Sequence, residues 1–316
     1  MTPVLVSAYA ASPAFRTWDP RLEGELLAGL CALPDVAGLE VPWLGGIHPH
    51  DDEWFLRELP VIELAVTPLP WVMGRCQKAP GYGLASNDEG GRRAALDDLR
   101  ALRDDVHRLA EHSNARVSTV LLHSAPRGSG SADRLGSSLE ELASWDFAGA
   151  DLRIEHCDAV IAAHPFEKGF LPLDAEMEAI RASGAALGLW MNWGRSVIET
   201  RDAAEATAQI ARAHASGTLR GLALSGAAAV AGPYGEAWSD AHLPFAETDP
   251  GSGSLLDRET AARALEAAGD VDRWGLKVSR RPGDVSAADV LTTVRDNLDV
   301  LRSAAASVTA LARAGA

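Results

Sequence analysis

The sequence predicts an α/β protein: a (β/α)8 barrel, or TIM barrel, forming a single domain over residues 1–316, with long loops after its third and seventh strands. Three observations carry this. Short apolar runs alternate with longer segments of helical period, eight times over. No linker and no second zone of composition interrupts them. The turn after the first run, "SAYAASPAF", lacks the G-x-G-x-x-G that usually follows the first strand of a doubly wound sheet.

Taken in order, "PVLVSAY" reads as the first strand. In "LEGELLAGLCAL", Leu22, Leu26, Leu27, Leu30 and Leu33 share one helical face. "AGLEVPW" is the second strand, and "VIELAVTPLP" the third, closed by prolines. A glycine-rich loop from Gly74 to Gly91 should lead into a helix carrying Leu96, Leu99, Leu102, Val106 and Leu109. "RVSTVLLHSAP" is the fourth strand, and a helix around Leu139–Trp145 precedes "DLRIEHCDAV", the fifth. "LDAEMEAIRASG" is a helix with a glycine stop, and "AALGLWMNW" the sixth strand. The next helix opens on Thr200 as N-cap and ends at Gly217. "LRGLALSGAAA" is the seventh strand, "LLDRETAARALEAAG" a helix, "RWGLKV" the eighth strand, and Ala287 to Ala312 the last helix.

A hydrophobic fraction of 47% supplies a core, and a net charge of -15 argues against a nucleic-acid or anionic-membrane partner. No apolar run approaches the roughly 18 residues of a membrane span. The start, "MTPVLVSAYAASPA", lacks the basic n-region and long apolar core of a signal peptide. Cys31, Cys76 and Cys157 are odd in number and far apart, so neither disulfides nor a zinc site is indicated, which suits a cytoplasmic protein. A homodimer is compatible with all of this.

In a barrel the C-terminal strand ends face one shared mouth, where chemistry collects. Those ends carry Tyr9, Glu40, Thr67, His123, Glu155, Asn192, Ser225 and Lys277. Arg153 has the strand parity of Glu155 and is its alternative partner to Lys277. His156 has the opposite parity, so it should face a helix. Cys157 reads as a small buried hydrophobe.

Here "GLEVPW", "TVLLHSAP" and "LRIEHCDA" resemble strand ends of the xylose-isomerase-like TIM barrels, a superfamily of sugar isomerases, epimerases and related lyases. With "PFEKGFLPLDAEME", "LGLWMNWGR", "GPYGEAWSDAHLP" and "WGLKVSRRP", nearly the whole chain further resembles an actinobacterial family known only as a domain of unknown function. The resemblance implies a metal held by Glu, Asp, His and Glu from strands five to eight. Glu155 matches the first position, while Asn192, Ser225 and Lys277 occupy the others. An ammonium repels a cation, so no metal site is assigned and no cofactor is expected; the lesser alternative is a divalent metal held by His123, His242 and Glu40 together with Glu155.

The expected reaction is isomerisation or epimerisation of a sugar or sugar acid, phosphorylated or not, by proton transfer beside a carbonyl. Glu155 would take the proton, Lys277 and Asn192 would stabilise the oxyanion, and His123 would assist. Glu40 and Tyr9 at strand ends, and Tyr234, Trp238 and His242 in the loop after strand seven, would bind hydroxyls or stack on the sugar. Lys168 could reach an anion, and Trp193 and Arg195 would lie at the rim. Arg280 and Arg281, with Lys277, would make a cationic cluster for a phosphate or carboxylate. The alternatives are a lyase on a sugar derivative and a non-catalytic carbohydrate-binding barrel.

Overall fold

The computed structural model describes residues 4–315, so Pro3, the first residue of the expected first strand, lies outside the described residues. Eight strands close into a barrel in chain order. They are β1 (Val4–Ser7), β2 (Val36–Pro42), β3 (Glu63–Thr67), β4 (Arg116–Leu122), β5 (Asp151–Glu155), β6 (Gly188–Asn192), β7 (Leu219–Leu224) and β8 (Arg273–Leu276). The pairs β3–β4, β4–β5, β5–β6, β7–β8 and β8–β1 are parallel. The fold is therefore the TIM barrel that strict strand–helix alternation implies.

Two compact units make up the chain. The central unit runs Glu40–Trp190; the flanking unit joins the chain up to Leu39 with that from Met191 onward.

In the central unit the long helix Glu89–His112 is capped by Asp88, which accepts from Gly91 N at 2.9 Å. It buries Leu96, Leu99, Leu102, Val106 and Leu109, the stripe its sequence period marks. The stretch Gly74–Gly91 is not all loop: the helix Leu69–Lys78 runs through Gly74. Pro70, which looks like a breaker after β3, stands in the first turn of that helix, where a missing N–H costs nothing. Gly83 has φ +151°, and a Cβ there would meet the Ala125 carbonyl at 2.2 Å. The glycine lets this loop press on the chain leaving β4, where Ala85 N donates to Ala125 O at 2.8 Å. The helix after β4 lies at Ala132–Leu142, earlier than expected, because Ser131 caps it.

In the flanking unit a short helix, Ala8–Ala11, follows β1, so Tyr9 is not a strand residue. Asn192 closes β6 and opens the helix Trp193–Thr200 directly. Thr200 therefore ends one helix, and Asp202 caps the next, Ala203–Ala215. The helices Pro20–Cys31, Arg258–Ala268 and Ala287–Gly315 complete the unit. Among the described residues no helix is long and apolar enough to cross a membrane.

Candidate functional site

The register of β4 and β5 builds the first cluster. Leu122 lies opposite Ile154, so the next residues, His123 and Glu155, sit side by side. His123 Nε2 is 3.0 Å from Glu155 Oε2, and both side chains are fully buried. A buried carboxylate is tolerated only when bonded in this way. One residue on, the chain turns its side chains the other way. Ser124 and His156 meet Glu176, which the helix Leu173–Ser183 inserts between them. The Ser124 hydroxyl donates to Glu176 Oε1, and His156 Nδ1 lies 2.7 Å from Glu176 Oε2. Two imidazole–carboxylate pairs thus occupy opposite faces of the same two strand ends. His156 meets a helix, as its parity predicts, and Cys157 is buried with Sγ 3.7 Å from Glu155 O.

Asp158 organises the loop that follows. Its carboxylate accepts from Glu167 N at 2.7 Å and from Lys168 N at 2.9 Å. That pins Lys168, whose ammonium lies 4.0 Å from Glu167 Oε2. Glu40, in β2, is buried. Arg153 is buried beside Asp151 Oδ2 at 3.3 Å, its guanidinium 5.9 Å from the Trp190 ring centroid.

A second cluster belongs to the flanking unit. Asn192 Oδ1 caps the helix Trp193–Thr200 by accepting from Arg195 N at 3.3 Å. Its buried amide nitrogen has no hydrogen-bond partner among the described residues. Arg195 and Trp193 are not rim residues: both are fully buried, because they sit on the first turn of a helix packed inward. Arg195 Nε donates to Asp240 Oδ2 at 3.1 Å, and Asp240 Oδ1 is 3.2 Å from His242 Nδ1. Ser225 Oγ lies 3.1 Å from the same nitrogen. Burial holds His242 below the ordinary imidazole value, with Lys277 and Arg195 adding to the shift and Asp240 opposing it. With Nδ1–H turned to Asp240, the neutral ring keeps Nε2 as an acceptor. His242 has φ +54° and Trp238 φ +60°, left-handed conformations that cost non-glycine residues energy.

Lys277 follows β8 and is fully buried, its ammonium 5.7 Å from the Tyr9 ring centroid. The two arginines after it are engaged by the chain. Arg280 donates to Asp284 O, and Arg281 donates to Thr248 O at 2.9 Å and Asp296 Oδ2 at 2.8 Å. The loop aromatics are also used internally. Tyr234 OH donates to Asp249 Oδ2 at 2.7 Å, and the Arg201 guanidinium lies 4.5 Å from the Trp238 ring centroid.

The four positions at which the resemblance implies a metal do not suit a divalent ion. Glu155 is bonded to His123, the Asn192 oxygen caps a helix, the Ser225 hydroxyl bonds His242, and Lys277 carries a cationic head. Among the described residues no group of three or more His, Cys, Asp or Glu is placed to hold a metal.

Of the residues expected from sequence, His123 and Glu155 come together, as do Asn192, Arg195 and His242. The sequence does not announce Ser124 or Glu176, and it offers Asp240 only as a loop acceptor for sugar hydroxyls, not as the partner of Arg195. One signal for Glu176 was available: it shares the inward helical face of Leu173, Met177 and Ile180, where an acid needs a buried partner. Asp240 offers no such signal, since a loop has no period.

Uncharacterized protein STM3670 of Salmonella typhimurium (strain LT2) is 32% identical over 311 residues, covering 96% of this chain and 98% of its own. Two solved structures are similar at the level of fold. L-ribulose 3-epimerase aligns with TM-score 0.60 and 14% identity over 98% of each chain. A xylose isomerase domain containing protein from Salmonella typhimurium LT2 aligns with TM-score 0.58 and 12% identity, over 95% of this chain and 97% of that one. The fold is thus that of the xylose isomerase-like TIM barrels. A family model matches residues 5–293, and the chain belongs to that family, described as Domain of unknown function (DUF4862).

Proposed function

We propose that the chain is an isomerase or epimerase of a carbohydrate or carbohydrate acid, acting by proton transfer at the carbon beside a carbonyl. The observation that carries this is the buried His123–Glu155 pair, 3.0 Å apart at two neighbouring strand ends. Water-excluded carboxylates beside imidazoles suit moving a proton to and from carbon. The likeness to L-ribulose 3-epimerase supports the substrate class.

Glu155 takes the proton as the C–H bond breaks, and the electron pair moves into an enediolate. Lys277 is assigned the developing oxyanion for its charge, with the spare Asn192 amide as second donor. Returning the proton to the same carbon gives an epimer, and to its neighbour an isomer. Glu40 and His242 are assigned to hydroxyls, His242 through its acceptor nitrogen Nε2. Lys168 and Tyr9 remain candidates for substrate contact.

The test is exchange. Protein in D2O with a panel of ketoses and keto acids should place deuterium on carbon beside the carbonyl, read by NMR. A panel member that binds without exchange throughout would leave a binding protein. No step is routed through a metal. After EDTA and desalting the protein should hold well under one divalent ion per chain and keep its exchange activity. Stoichiometric metal required for activity would overturn this mechanism.

Full burial of Lys277 favours a second reading, a lyase that forms a Schiff base with a carbonyl substrate. Borohydride would then trap substrate covalently on Lys277, which the proton-transfer mechanism does not predict.

A further inference from the structure

A small cavity lies within the central unit, and His123 forms part of its wall. Trp43, Trp71, Tyr82, Leu84, Leu122 and the Asp98 carboxylate are among the other lining residues. The polar atoms of its three aromatic walls are already engaged. Trp43 Nε1 donates to Asp105 at 2.9 Å, while Trp71 Nε1 and Tyr82 OH donate to Asp98 at 2.8 and 2.9 Å. Arg75 locks the arrangement, with Nε 3.0 Å from Asp98 and its guanidinium 4.9 Å from the Tyr82 ring centroid. The Trp43 and Trp71 rings meet edge to face at 5.4 Å. These bonds hold the rings in place and leave mainly carbon facing the void.

The size narrows the occupant. The cavity has a volume of about 20 Å³. A single water needs on the order of 10–15 Å³ by that measure, plus two to four polar partners. The wall's charged or ionisable side chains are Asp98, engaged by Trp71, Tyr82 and Arg75, and His123, paired with Glu155, so the space suits a methyl or methylene group better than a water or a hydroxymethyl. The wall shared with His123 places that group beside the proposed proton-transfer pair.

We infer that this cavity is a specificity subsite for an apolar carbon of the substrate, so that the chain acts on deoxy sugars in preference to their fully hydroxylated parents. The inference rests on the proposed carbohydrate function. A hydroxyl forced into the cavity would give up its water for a wall whose charged or ionisable side chains, Asp98 and His123, are already bonded to Trp71, Tyr82 and Glu155. Apolar pockets discriminate against an added hydroxyl by on the order of a hundredfold at most, which sets the ceiling.

The experiment compares sugars that differ by that one oxygen. L-rhamnose is set against L-mannose, and L-fucose against L-galactose, with affinity read by calorimetry or ligand-observed NMR on the full chain. The deoxy member of at least one pair should bind about tenfold tighter or more. Ala95→Val and, separately, Val72→Ile narrow the cavity from two different helices. Each should bring that pair to within about twofold, with the parent sugar's affinity nearly unchanged. Because two variants fill the same space, misfolding of one leaves the other to decide. Equal binding of both members, no measurable binding of either deoxy sugar, or a preference that survives both substitutions would each overturn the inference. Exchange in D2O with the same sugars is scored separately: binding preference without exchange sinks the proposed reaction and spares the subsite, and exchange without preference does the reverse.

Discussion

Buried charge is handled differently in the two units. In the central unit acids face imidazoles, Glu155 with His123 and Glu176 with His156, and every partner comes from a strand end or the helix Leu173–Ser183. In the flanking unit the buried cations Arg195 and Lys277 accompany Asp240 and His242, and the acid and imidazole come from the irregular chain after β7. The first arrangement is held by register and relaxed backbone. The second needs left-handed residues at Trp238 and His242. Under the proposed function, the proton-transfer pair would sit on the regular part of the scaffold, and part of the charge-stabilising cluster would depend on a loop with left-handed residues.

The sharpest break in this comparison is at the acids and cations themselves. Glu155→Gln should slow deuterium exchange by on the order of 10²- to 10⁴-fold. Lys277→Met should cost on the order of 10²- to 10³-fold if it faces the oxyanion. A Glu155→Gln protein that folds and exchanges at the wild-type rate would remove the central unit from the chemistry.

Glu176→Ala should cost stability rather than chemistry. It strips two buried polar groups of their acceptor, and losing one side of such a pair costs about 3–5 kcal/mol. Urea unfolding measures it. A cost under about 1 kcal/mol would mean that the outer imidazole–carboxylate pair contributes little.

The flanking cluster should show itself through pH. His242 titrates below its ordinary value of 6.5 in the folded chain. Below that value the unfolded chain binds a proton that the folded one resists. Stability therefore falls as pH drops through 6.5 and towards the lower folded value, and this group contributes nothing above it. The slope from one such group is at most about 1.4 kcal/mol per pH unit. His242→Gln should remove that increment from the stability–pH curve. Asp240→Asn takes away the group that opposes the shift, so it should extend the loss to lower pH. Identical curves for wild type and His242→Gln between about pH 5 and 7 would contradict the assignment.

Arg281→Ala is expected to be the mildest change. Its ion pair with Asp296 is partly exposed, and such pairs contribute about 1 kcal/mol or less. Anion affinity, read by thermal shift, should hardly change, since the guanidinium is already bonded to Thr248 and Asp296. A marked loss of anion binding would restore the cationic cluster as a substrate site.

The barrel was legible because period two and period 3.6 are written directly into the apolar residues, and strand parity then placed His123, Glu155 and His156. The prolines after β3 misled, since proline marks both an end and a beginning: Pro70 opens the helix Leu69–Lys78 instead of leading into open loop. Trp193 and Arg195 were misplaced at a rim because nothing in "WMNWGRS" shows that Asn192 ends a strand and caps a helix in the same residue. Arg280 and Arg281 looked like a waiting cluster because their acceptors, Asp284, Thr248 and Asp296, are separated from them by 3 to 33 positions, and spacing of that kind carries no period.

His242 is held in a backbone conformation that glycine would adopt at little cost, whereas an L-residue there gives up about 1–3 kcal/mol. Two selections imposed on a library at this position should therefore pull apart. Survival to heat or protease should enrich glycine. If His242 serves the proposed reaction, growth that depends on turnover should enrich histidine instead, and a selection in which glycine wins both contests would leave the imidazole beside Asp240 without that role.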